Sequence, residues 1–155
     1  MDTQHEIYPM PAFAGLAVAD TSASRRWYME ALGFADIFTM PDGPAGMPMM
    51  SHLRFTKYAD ILLRPAMGPA AGPKGLGFTI TFTVFDGTLD AIDALADRAR
   101  KAGATIVQEP GNRPWNARDF TVADPDGFHL TFTKGPVRTD LTFNEVIDRA
   151  GKPGA

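Results

Sequence analysis

The chain repeats its own punctuation. Val18-Ala-Asp20 returns as Val84-Phe-Asp86, and Gly33, which closes the first helical stretch, returns as Gly103, at offsets of 66 and 70 residues. A strand-to-helix corner and a helix stop that recur at nearly one spacing mark an internal duplication. The fold must therefore be built from two copies of one unit. In the first copy, residues 12–19 alternate as a strand, with Leu16 and Val18 on one side and Phe13, Gly15 and Ala17 on the other. Asp20 or Thr21 then caps a helix to residue 32, with Ala23, Trp27, Tyr28, Ala31 and Leu32 along its apolar stripe. Strands over 34–40, 49–55 and 59–64 complete a βαβββ unit. The second copy repeats the order: a strand over 78–85, a helix from a Thr88 cap to residue 102, a strand over 104–109, and a hairpin over 117–134 closed by Asp124-Pro125-Asp126-Gly127.

This divides the chain into an arm (1–11), a first module (12–66), a Pro- and Gly-rich linker (67–77), a second module (78–134) and a tail (135–155), all in one structural domain. Pro9 and Pro11 hold the arm extended. In the tail, Thr142-Phe-Asn-Glu145 is a capping-box pattern that opens a short helix to Ala150.

Composition removes several function classes. There is no cysteine, hence no disulfide framework, thiolate metal site or thiol nucleophile. A net charge of −3 argues against a nucleic-acid partner and is compatible with a cationic or neutral ligand. No apolar run reaches the length of a membrane span, and the polar N-terminus lacks a signal peptide's order, so no membrane partner and a cytoplasmic location are expected.

Two βαβββ units, the V-x-D corner before a helix ending in Leu32-Gly33-Phe34, and a terminal Asp-Pro-Asp-Gly hairpin resemble the vicinal oxygen chelate superfamily. That group includes glyoxalase I, extradiol dioxygenases and the bleomycin-resistance binding proteins. The resemblance covers residues 10–135. It implies an α+β fold in which two paired βαβββ modules make a curved mixed-sheet cup with helices outside. Strand parity then assigns the faces. Leu16/Val18, Leu53/Phe55, Ile61/Leu63, Ile80/Val84 and Leu130/Phe132 go under the helices. The alternates line the cup: Phe13, Met50, His52, Arg54, Asp60, Leu62, Arg64, Thr79, Thr81, Thr83, His129, Thr131 and Thr133.

The metal-dependent relatives hold their ion at four inward positions that here are Phe13, Leu62, Thr79 and Thr131. None is a competent ligand for a divalent ion, so neither a metal nor another cofactor is expected. Pro114-Trp115 followed by Arg118-Asp119-Phe120 is similar to the bleomycin-resistance type, which implies a homodimer that holds an antibiotic in clefts between subunits without modifying it. The longer tail and the Met- and Pro-rich loop over 41–50 depart from that type.

The leading expectation is therefore a metal-free protein that sequesters an aromatic natural product or antibiotic. Its ligand-binding residues would be Phe13, Phe38, Met50, His52, Arg54, Leu62, Thr79, Thr81, Trp115, Asp119, His129 and Thr131, with Met47 and Met49 near the rim. Trp115 reads equally as a loop anchor. Two alternatives stay open. One is a metal-independent isomerase or lyase using His52 or His129 as base, with Asp60 or Asp119 to orient it. The other is an interaction module with no small ligand.

Overall fold

A computed structural model describes residues 5–68 and 72–152. In it, the duplication appears as two four-stranded mixed sheets. The first carries β1 (Phe13–Val18), β2 (Ala35–Met40), β3 (Met50–Thr56) and β4 (Ala59–Pro65), in the spatial order β1-β4-β3-β2. The second carries β5 (Thr79–Thr83), β6 (Thr105–Arg113), β7 (Ala117–Ala123) and β8 (His129–Lys134), in the equivalent order β5-β8-β7-β6. In each sheet the first and last strands of the module run parallel and the other pairs antiparallel. The parallel pair needs a long crossover, and α1 (Thr21–Leu32) and α2 (Asp90–Lys101) begin it in the two modules.

The helices start and stop differently. Asp20 caps α1, its carboxylate accepting from the Ala23 N–H at 2.9 Å, and Gly33 ends it in the left-handed conformation at φ 76°. The expected Thr88 cap of α2 does not form. The N-cap residue is Leu89, and Thr88 instead offers its backbone carbonyl to the Ala91 N–H at 3.0 Å. Asp90 and Asp93 in the first turn supply the favourable charge that a capping side chain would have reinforced. β6 is also longer than its apolar pattern, running to Arg113 across two register shifts. Pro110, which cannot donate to a ladder, sits at the second of them.

The modules join through their helix-bearing sides. Leu16, Val18, Tyr28, Leu53, Ile61 and Leu63 of the first share one buried cluster with Phe82, Ile92, Phe120, Val122, Leu130 and Phe132 of the second. Phe55 packs between Phe82 and Phe132, with ring centroids 5.6 and 5.0 Å away. Arg98 of α2 crosses the junction to donate to the last carbonyls of α1, Nε to Glu30 at 2.7 Å and Nη2 to Met29 at 3.0 Å.

The Asp-Pro-Asp-Gly turn between β7 and β8 clasps the first module. Asp124 accepts from the N–H groups of Asp126 and Phe128 and from the buried Tyr28 hydroxyl at 2.8 Å. Asp126 accepts from the Ala19 N–H at 2.8 Å and from the Ser24 hydroxyl. Burial, reinforced by Asp124, pushes the Tyr28 phenol well above its ordinary range. Burial also raises Asp124, against the Tyr28 hydrogen bond that lowers it.

A third helix, α3 (Phe143–Ala150), follows. Its capping box is complete: Thr142 accepts from the Glu145 N–H, and Glu145 accepts from the Thr142 N–H. No residue of α3 is buried.

Candidate functional site

Because the helix-bearing sides meet in one core, the opposite face of each sheet is turned away from it. The candidate residues lie on these two outer faces, six on the first sheet and six on or beside the second.

Cross-strand register orders the first face into rows. Phe13, Asp60, Arg54 and Ala35 form one; Gly15, Leu62, His52 and Phe38 form the next. Beyond them Ala17 opposes Arg64 and Met40 opposes Met50. Phe13 and Phe38 are each 52% exposed, and Met40 and Met49 are exposed as well.

The first row holds a charge network. The fully buried Arg54 donates Nε to Asp60 Oδ1 at 2.7 Å and Nη1 to the Glu6 carbonyl at 2.7 Å. Its guanidinium lies 4.1 Å from the centre of the Tyr8 ring. His52 Nε2 lies 2.9 Å from the same Asp60 oxygen, and the Tyr8 hydroxyl donates to Oδ2 at 3.1 Å. One carboxylate thus holds an arginine, a histidine and a tyrosine, and the arm supplies the tyrosine. Desolvation and the nearby Asp60 raise the Tyr8 phenol above its usual range, against the Tyr58 N–H that donates to its oxygen.

The second face is mostly hydroxyl. Thr79, His129 and Ala123 stand in one row, Thr81, Thr131 and Thr121 in the next, and Thr83, Thr133 and Asp119 in a third. The Thr121 and Thr131 hydroxyls are 2.7 Å apart. Asp119 is nearly buried and accepts from Arg113 Nε at 2.6 Å. The linker covers His129: a Cβ placed on Gly75 would lie 2.3 Å from its Nε2, so only glycine allows this approach. Lys74 fixes the linker there, donating to the Ala17 carbonyl at 3.0 Å. Trp115 lies in the turn before β7 and is 53% exposed.

Strand parity placed the candidate strand residues on the outer faces, but the part that the arm plays beside Asp60 was not foreseen. Tyr8 and Glu6 carried no periodic signal, and an aromatic beside Pro9 was the only hint. Asp60, not Asp119, is the carboxylate that meets a histidine. His52 and His129 stand on different sheets. A cavity of about 630 Å³ lies at the module junction, bordered by Leu32, Phe55, Lys57, Val84, Phe85 and Arg98, and none of the twelve candidates lines it.

A model of the glyoxalase/bleomycin resistance protein/dioxygenase superfamily matches residues 11–152. The chain belongs to this superfamily. Its curated relatives include an uncharacterized protein of Mycobacterium bovis, 33% identical over 138 residues that make up 84% of this chain and 86% of the relative. Among solved structures it is similar to TioX from Micromonospora sp. ML1, at 24% identity and a TM-score of 0.61, covering 84% of this chain and 98% of that one. It is also similar to TnmS3, described as an antibiotic binding protein from Streptomyces sp. CB03234. That match has 20% identity and a TM-score of 0.60, with coverage of 84% and 98%. These structural likenesses show the fold.

The superfamily's metal site does not fit this chain. At its four positions Phe13 and Leu62 have no lone pair to offer, and Thr79 and Thr131 present neutral hydroxyls. Among the described residues no three of His, Cys, Asp or Glu cluster so as to hold a metal ion. No helix among them is long and apolar enough to cross a membrane.

Proposed function

We propose that the chain is a metal-independent binding protein that sequesters a flat, partly aromatic natural product or antibiotic on the outer face of its first sheet, within a homodimer. The observation that carries this reading is the exposure of Phe13, Phe38 and Met40 in one sheet face, a large apolar surface that a monomer leaves in water at a cost. Aromatic rings offer stacking surface and methionine an adaptable wall. A second copy that sets its threonine face opposite would close a cleft, with hydroxyls to orient a ligand's polar groups. The fold shared with an antibiotic binding protein supports the reading.

The His52–Asp60 contact favours one other reading, a metal-free isomerase or lyase with His52 as base. Exposure of the protein to natural-product extracts, followed by native mass spectrometry and release of the bound compound, separates the two. The binding reading expects a dimer that returns the compound unchanged. A compound returned altered, with the change abolished in His52→Ala, would establish the enzyme instead. A protein that retains nothing and sediments as a monomer would overturn both the ligand and the dimer.

A further inference from the structure

The arginines of this chain are mostly committed. Arg25 pairs with Asp36, Arg54 with Asp60, Arg100 with Asp97 and Glu109, Arg113 with Asp119, Arg118 with Asp93 and Arg138 with Asp140, while Arg98 holds the carbonyls that end α1. Arg64 is different. It is exposed on the outer face of the first sheet, and among the described residues it forms no hydrogen bond or ion pair. Its strand partner is Ala17, yet its Nε lies 4.0 Å from where a Cβ of Gly15 would be. The side chain therefore leans toward β1, to the Gly15 end of the row that continues through Leu62, His52 and Phe38, over a floor with no side chain of its own.

The acidic group of that face is already taken: Asp60 is saturated by Arg54, His52 and Tyr8. What remains is an apolar aisle of Phe13, Leu62, Phe38, Met40 and Met50, closed at one end by a neutralised network and at the other by an open guanidinium. Guanidinium is planar, always charged, and forked to match a carboxylate.

We propose that the ligand taken on this face is an aromatic acid, its ring over the Leu62–Phe38 row and its anionic group on Arg64. This rests on the binding reading above and gives that ligand a charge. It runs against the chain's net charge of −3, which by itself favours a cationic or neutral compound. A single guanidinium at contact distance acts on the ligand more strongly than distributed charges screened over a Debye length of roughly 8 Å.

The test uses three probes of one shape, 2-naphthoate, 2-naphthamide and 2-naphthylmethylammonium, titrated calorimetrically into the full chain. Naphthoate is expected to bind about tenfold tighter than naphthamide, the gain typical of a charge-assisted hydrogen bond, with the ammonium weakest. Added salt should erode the naphthoate advantage alone. Arg64→Gln should reduce naphthoate to the affinity of naphthamide and leave naphthamide unchanged; Arg64→Lys should keep part of the preference. Equal binding of naphthoate and naphthamide by the native chain, or a naphthoate preference that survives Arg64→Gln, overturns the anion assignment and leaves the binding face standing. If no probe binds, or Phe38→Ala changes the affinity of none, the face itself is wrong and the assignment falls with it.

Discussion

The outer face of the first sheet and the outer face of the second descend from one unit and now have opposite chemistry. The first carries exposed aromatic and methionine side chains around an Arg54–Asp60–His52–Tyr8 network centred on the buried Arg54–Asp60 pair. The second carries rows of threonine, with its acidic group, Asp119, answered by a neighbouring Arg113. Their helix-facing sides have not diverged in kind: Leu16, Val18, Leu53 and Ile61 on one match Phe82, Val122, Leu130 and Phe132 on the other as buried apolar residues. Packing constrains the side that meets a helix, because a change in volume there is felt at once. The other side is free to be rewritten, and that freedom is where a duplicated fold acquires a site.

The largest effect should come from the two carboxylates. Asp60→Ala leaves the Arg54 charge fully buried without its main partner and should destabilise the protein by about 3–5 kcal/mol. Asp119→Ala should cost only about 1–2 kcal/mol, because Arg113 is partly exposed and water can take over. Urea denaturation of both variants measures the gap, and equal losses would mean that the two faces are held alike.

The tryptophans come next. Trp27 packs edge-on against Tyr28, at 5.1 Å between centroids, and is partly buried. Trp27→Ala should cost about 3 kcal/mol, the low end for a cavity of that size. Trp115→Ala should leave the melting behaviour nearly unchanged and weaken ligand binding by about tenfold. A Trp115 variant that unfolds as readily as the Trp27 variant would make Trp115 a structural anchor.

A smaller effect is set by pH at the clasp between the modules. Tyr28 keeps its proton in the fold to higher pH than in the unfolded chain. Its contribution is therefore complete below the ordinary tyrosine value near pH 10 and is lost as pH rises beyond it, by up to about 1.4 kcal/mol per pH unit. Chemical denaturation between pH 9 and 11 should show that slope, reduced in Tyr28→Phe; an identical slope in the variant would place the alkaline lability elsewhere. The smallest effect belongs to the threonine face. Thr131→Val removes the bond to Thr121 and should cost about 1 kcal/mol or less, whereas Leu62→Thr on the first face should cost ligand affinity while leaving the fold intact.

Much of this was legible in the residues. The period-two alternation of Leu16/Val18 and of Leu130/Phe132, with Gly33 and Gly103 as stops, was enough to place the strands, the helices and both faces. What stayed hidden depended on contacts distant in sequence. Tyr8 reaches Asp60 across 52 positions, and Tyr28 reaches Asp124 across 96; neither distance leaves a periodic trace. The Asp-Pro-Asp-Gly turn was readable as a turn, but its second role, gripping α1, requires knowing which helix lies beside it. The candidate residues could be named as a set, and not as two sets facing different ways.

The cation that crosses the junction limits how the chain can be divided. Arg98 ends a helix it does not belong to, and Phe34 and Phe55 are packed by Phe82 and Phe132 of the other half. Residues 12–66 expressed alone would have frayed carbonyls at one helix terminus and bare phenylalanines beneath it. Such a fragment is expected to be soluble only when its complement is supplied in trans, and the two pieces should recover the native fold without a peptide bond between them.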